Sequence, residues 1–345
     1  MSASLAPPIG QEAARRQALR IGFAVASSMT LAVLLGSPLP FLAPVFAAQF
    51  LASSRRPLGP APAVVIAGAI LVFGQGLSML SVAAGGYPGL FLFLLWIFYF
   101  ACFVAQARGK GGPLPFLLLA IGVLVPLTEM LHDDLDQTMI VMLAGGVLGG
   151  VVISWAAHAA FPDPGEAGPA PPPAPADEGL RRPAASAAIL AAAVALCLID
   201  ARLSSAIVLP VTVATLLGQL DLARSGRAAL GLVAGNIFGG VLACLAFAVV
   251  ELRPELPVLF AVVLAVGLWL GSGAASDPVR GKLDAGALTI FLVLLGLGIS
   301  PLPGSTAESF ATRLGYVTAG AFGALWAAAL CWPATRGDEP SRTAS

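Results

Sequence analysis

The chain of 345 residues balances 18 Lys+Arg against 18 Asp+Glu, and only 10% of it is charged while 58% is hydrophobic. A soluble domain carries roughly 25% charged residues, so with a mean hydropathy of +0.92 the composition excludes water as the main solvent. The even charge balance gives no reason to expect a nucleic acid or any other highly charged macromolecule as partner.

In a bilayer the backbone must satisfy its own hydrogen bonds, which leaves helices of about 20 apolar residues or closed barrels. Runs such as 64–80 and 256–270 are apolar on every face, whereas barrel strands alternate. The fold class expected is therefore an all-α integral membrane protein.

In chain order, a cytoplasmic tail over 1–17 precedes the first apolar run. Arg15, Arg16 and Arg20 stand before that run much as in a secretory signal, but a counterpart later in the chain marks it as a retained span. A first six-helix repeat is expected over 18–161, with spans at 18–36, 39–54, 61–83, 88–106, 113–129 and 138–161. A linker follows over 162–182, where Pro164, Pro169, Pro171, Pro172, Pro173 and Pro175 stand among alanines and acids and preclude a packed core. The second repeat, 183–333, offers spans at 183–200, 203–220, 227–250, 255–273, 284–300 and 314–333, and 334–345 forms a cytoplasmic tail. That makes about twelve transmembrane helices.

The two halves align with each other. A shift of 166 residues superimposes Pro44-Val45 on Pro210-Val211, Gly74 on Gly240 and Pro88 on Pro254. A shift of 174 superimposes Gly122 on Gly296, Gly146 on Gly320 and Gly149 on Gly323. The change of eight residues implies a longer loop near Gly271 to Gly286. The positive-inside rule tests the count independently. With twelve spans and a cytoplasmic N-terminus, Arg202, Arg253 and Arg313 fall outside and the other fifteen cationic residues fall inside. An even number of spans per half makes the repeats parallel.

The chain contains no Walker loop, HExxH, GxSxG in a strand-turn-helix context or CxxC, and its two histidines, His132 and His158, have no partners at a recognisable spacing. No enzymatic activity and no cofactor or metal is expected. Cys102, Cys197, Cys244 and Cys331 lie far apart within apolar runs and read as packing residues.

Transport is the function left for such a chain, and its machinery would lie among intramembrane polar groups. The candidates are Gln49, Gln75, Gln219 and Asn236, with Ser27, Ser28, Thr30, Thr212 and Thr215 behind them. Pro44 and Pro210 occupy the same place in the repeat, and a proline inside a span frees a carbonyl and bends the helix. The second and eighth spans are therefore expected to line the pathway, with Gln49 and Gln219 near its inner end. Arg227, which opens a span, is the cation expected to meet an anionic substrate. Gly145-Gly146-x-x-Gly149-Gly150, Gly320-x-x-Gly323 and Gly235-x-x-x-Gly239-Gly240 read as close helix-packing seams. No carboxylate falls at mid-membrane: Glu129, Asp133, Asp134, Asp136, Asp200, Glu251, Glu255 and Glu308 sit at outer ends, and Asp221, Asp277 and Asp284 at the inner side.

The stretch 207–245, with Leu209-Pro210-Val211, Arg224, Arg227-Ala228-Ala229-Leu230, Gly235, Gly239 and Gly240, resembles the fusaric acid resistance (FUSC-like) and aromatic acid exporter family. Leu42-Ala43-Pro44-Val45, Arg55-Arg56, Gly68, Gly74 and Gly76 repeat the pattern in weaker form. The resemblance implies a bacterial inner-membrane efflux permease for small organic, often aromatic, acids or toxic compounds, working with a periplasmic adaptor (membrane fusion) protein. Members of that family often carry a sizeable cytoplasmic domain, where this chain has only its Pro/Ala linker. The partners expected are thus the lipid bilayer, a small organic anion, that adaptor and further copies of the chain. Two alternatives stand beside the exporter: a passive anion channel, which the missing midplane carboxylate favours, and a membrane scaffold subunit without transport.

Overall fold

Long apolar runs bounded by proline, glycine and charge become helices because only a helix satisfies every backbone group within its own segment. The computed structural model describes residues 9–54, 56–84, 86–109, 112–131, 136–162, 180–199, 210, 213–214, 217, 226–276, 278–300, 315 and 323. Within these the helices are α1 (Ile9–Leu34), α2 (Leu42–Ser53), α3 (Pro60–Ala84), α4 (Pro88–Ala107), α5 (Leu114–Leu131), α6 (Asp136–Ala160), α7 (Arg181–Ile199), α8 (Gly226–Leu252), α9 (Leu256–Ser276) and α10 (Pro278–Gly298). The protein is all-α. Seven helices, α1, α3, α4 and α6 to α9, are long and apolar enough to cross a membrane, while α2, α5 and α10 carry shorter apolar stretches. These ten helices fall on ten of the expected runs. The eighth run is represented only by the helical positions Pro210, Val213, Ala214 and Leu217, and the twelfth only by Gly315 and Gly323.

The chain returns to its starting end after six helices. Near the start of α1, Arg16 Nη1 donates to the Pro162 carbonyl (2.8 Å) and Arg20 Nε to the Phe161 carbonyl (2.7 Å), both just past the end of α6. Gln17 Nε2 donates to the Leu51 carbonyl in the last turn of α2. At the opposite end, Ser300 Oγ, just past α10, donates to the Pro38 carbonyl between α1 and α2 (2.6 Å). Helix order and direction thus agree with a chain that threads a bilayer back and forth.

The packing is pseudo-symmetric. The first helix of each half lies against the fourth of the other: α1 packs on α9, and α4 on α7. Within each half the third helix also meets the fifth, as α3 with α5 and α8 with α10, and the fourth meets the fifth, as α4 with α5 and α9 with α10. At the level of single residues the two contacts differ, since Ala18 and Ala184, one repeat apart, meet partners nine residues out of register at that shift. A Cβ on Gly271 of α9 would lie 3.4 Å from the Ala18 oxygen, and Trp96 Nε1 of α4 donates to the Ala184 oxygen (3.3 Å).

Small residues permit these approaches. Gly267 lies against Gly22 and Val25, and Gly271 against Ile21, so α9 runs antiparallel to α1. Gly146 and Gly150 of α6 sit on Leu42, Phe46 and Ala47 of α2. In the first half Gly122 leaves room for the rings of Phe98 and Tyr99, and Tyr99 Oη, fully buried, donates to the Gly122 carbonyl (2.6 Å). Tyr99→Phe is expected to cost about 1 kcal/mol, read as a lower midpoint in mixed-detergent unfolding.

Three expectations are corrected. The longer loop near Gly271 to Gly286 does not exist: apart from Asp277, which lies outside the described residues, these positions are helical. Their glycines serve close approach instead of a turn, with Gly273 on the Asp284 carboxylate and Gly281 on the Ala274 carbonyl. The 174-residue shift falls with that loop, since α5 and α10 start 164 residues apart (Leu114, Pro278) and end 167 apart (Leu131, Gly298). Lastly, Pro44 does not bend its helix. It is the third residue of α2, in the first turn, where an N–H has no intrahelical partner to lose.

Candidate functional site

The two halves meet through a polar contact between α2 and α10. Gln49, half-buried, lies one turn before the end of α2, and its Nε2 donates to Thr289 Oγ1 across the seam (3.0 Å). Thr289 is buried at 3% exposure, and its hydroxyl donates to the Ala285 carbonyl one turn back (2.9 Å). The geometry is self-consistent, because the hydroxyl gives its single proton to the backbone and accepts the amide proton on a lone pair. That leaves the second Nε2 proton and the Oε1 of Gln49 without partners among the described residues. Such a pair can hydrogen-bond a small polar solute at the seam, but neither group exchanges protons at physiological pH.

Gln49 was legible in the sequence as an intramembrane amide, whereas Thr289 was not singled out. A signal existed: Thr289 is the only side chain able to hydrogen-bond between Asp284 and Ser300, in the middle of an otherwise apolar span. No alignment of the halves points to it, because its position at the 166-residue shift is Val123.

The other expected site residues do not gather around this contact. Pro44 is buried at the start of α2, and Pro210 is buried and helical. Gln75, half-buried, lies on α3, whose main contacts among the described helices are with α4, α5 and α6. Arg227 is the second residue of α8, and Gln219 lies outside the described residues. Asn236 is fully buried in α8, on one stripe with Gly239, Gly240, Ala243 and Ala246. Neither polar atom of its amide has a hydrogen-bond partner among the described residues. Its neighbours Gly235 and Gly239 press on the carbonyls of Leu283 and Ala287 in α10. No hydrogen bond joins any two of the seven expected residues among those described.

The cationic end of α1 forms a second cluster. Arg20, 1% exposed, also donates from Nη1 to Gln17 Oε1 (3.3 Å), while Arg16 pairs with Glu12 (2.6 Å). The two guanidinium groups meet carbonyls at the end of α6, where the helix dipole presents partial negative charge. This cluster clamps the ends of α1, α2 and α6 together. Among the described residues no group of three His, Cys, Asp or Glu side chains is placed to hold a metal ion.

No family model matches the chain, and neither a curated protein nor a solved structure matches it.

Proposed function

We propose that this multi-pass helical protein is an efflux permease of a bacterial cytoplasmic membrane, not an enzyme, and that it carries small organic acids, chiefly aromatic carboxylates, along the seam between two parallel six-helix repeats. In this reading twelve spans leave both termini in the cytoplasm, and a periplasmic adaptor receives the substrate. The resemblance of 207–245 to the FUSC-like and aromatic acid exporters supports the substrate class. The arginine distribution supports the orientation. One structural observation carries the pathway: the Gln49 to Thr289 hydrogen bond joins two polar side chains across the halves, within a span that is otherwise apolar around Thr289. Substrate sites at repeat interfaces are general in transporters built this way.

The neutrality of that contact favours one second reading, a passive anion channel. Purified protein in liposomes separates the two through flux of radiolabelled benzoate with and without a pH gradient. The exporter accumulates benzoate against its gradient and loses that accumulation when the proton gradient collapses. Neutral benzoic acid leaks through lipid by itself, so each flux is taken as the excess over protein-free liposomes; a channel only equilibrates the anion, and a scaffold shows no excess. For the exporter, Gln49→Leu should lower the transport rate about tenfold, the worth of one hydrogen bond to a charged group, without reducing the yield of folded protein.

A further inference from the structure

Between α3 and α6 a groove of about 540 Å³ opens on the outside of the bundle, walled by Leu71, Val72, Met79 and Val141. Those walls suit hydrocarbon, but Gln75, which also lines the groove beside Gly76, does not. Gln75 is the sixteenth of 25 residues in α3, so it lies roughly 22 Å from one end and roughly 14 Å from the other. A hydrocarbon core about 30 Å thick keeps lipid headgroups away from that depth. Its amide makes no hydrogen bond to the described residues, and hydrocarbon offers it none. The position one repeat later is Val241, 44% exposed on α8, as contact with lipid alone would require. The amide is thus particular to the first half and to this groove.

We propose that this groove is the interface of a symmetric homodimer in which the Gln75 amides of two copies pair across a two-fold axis along the membrane normal. Two copies inserted in the same orientation bring the groove opposite itself, and a two-fold contact sets each residue against its own kind. Glutamine is self-complementary in that setting, since its NH2 donates to the partner's Gln75 Oε1 while its own Oε1 accepts. Apolar walls alone give no preference for protein over lipid tails, so the amide supplies the choice. The face is shaped for a helix: Val65, Gly68, Val72, Gln75, Met79 and Val82 recur at alternating spacings of three and four residues, the repeat of a helix seam. Among the described residues a Cβ on Gly68 or Gly76 would find nothing within 4 Å, which leaves room for a partner helix.

The full chain, reconstituted at decreasing protein density, tests this by single-molecule subunit counting. Wild type is expected as dimers that dissociate on dilution. Gln75→Leu should raise the dissociation constant about tenfold, the value of a pair of intramembrane amide bonds. Gly76→Leu should raise it at least as much, and it points into the open groove, where an added Cβ meets nothing within 4 Å among the described residues. In a chain with its four cysteines replaced by alanine, oxidation should cross-link Met79→Cys but not Val241→Cys. Wild type that is monomeric at every density, with or without lipid retained in the groove, overturns the proposal. Dimers unaffected by both substitutions, or cross-linking from position 241 as readily as from 79, overturn it equally. None of these readouts depends on transport.

Discussion

Gly239→Ala is expected to destabilise the folded protein by about 3 kcal/mol, the upper range for overpacking a tight contact. A Cβ at this position would overlap the Ala287 carbonyl oxygen and lie 2.9 Å from that residue's Cα and carbonyl carbon. All three are backbone atoms of α10, so no rotamer change relieves the clash. The remaining relief is to part α8 from α10, which also undoes the neighbouring approach of Gly235, where an added Cβ would lie 3.2 Å from the Leu283 carbonyl oxygen. The control is Gly145→Ala on α6, where a Cβ meets nothing within 4 Å among the described residues. There the substitution should be neutral or stabilise by up to about 1 kcal/mol, through the better helix propensity of alanine. Unfolding midpoints in mixed detergent compare the two directly, and equal effects would mean that α8 and α10 are not in backbone contact.

Arg20→Leu should cost about the same, near 3 kcal/mol, for a different reason. The substitution removes charge-assisted hydrogen bonds worth roughly 1.5–3 kcal/mol each and strips the Phe161 carbonyl and Gln17 of their donor at a site closed to water. Arg20→Lys keeps the charge but not the planar fork that reaches both acceptors, so a smaller loss is expected. Arg16→Ala, whose side chain is one-third exposed, should change stability by less than about 1 kcal/mol. Severity should therefore fall from Arg20→Leu through Arg20→Lys to Arg16→Ala, and unfolding midpoints read in that order check the clamp. A loss at Arg16 as large as at Arg20 would contradict it.

Helix positions were legible because bilayer thickness and backbone satisfaction dictate how long an apolar run must be. Leu42–Ser53 and Pro88–Ala107 depart from the expected bounds by three residues at most. The same physics hides the N-terminal start of α1: Ile9 to Arg20 is too polar to read as a span, yet the Glu12 to Arg16 pair one turn apart supports helix there. Arg20 counted in sequence as one more topogenic charge, and its burial depends on α6 ending nearby, which no local pattern encodes. The loop near Gly271 to Gly286 was expected from the change of eight residues between two glycine and proline alignments, but glycine marks turns and close helix contacts alike, and only the packing partners of Gly271, Gly273 and Gly281 show the latter. The candidate site was half legible. Gln49 announced itself as an amide in an apolar span, but its partner Thr289 lies 240 residues away, and a hydroxyl that bonds back to its own helix resembles any other.

The central claim, that substrate passes where the two halves meet, is tested most directly by locking that seam. In a chain whose four cysteines are replaced by alanine, Gln49→Cys and Thr289→Cys are joined by a short reducible cross-linker, and benzoate flux into liposomes, already about tenfold lower for want of the Gln49 amide, is measured before linking, after linking and after reduction. The account predicts that this remaining flux falls to background on linking and returns on reduction, while the linker leaves the flux of either single-cysteine protein unchanged. Flux that continues unchanged through the linked protein would place the pathway elsewhere.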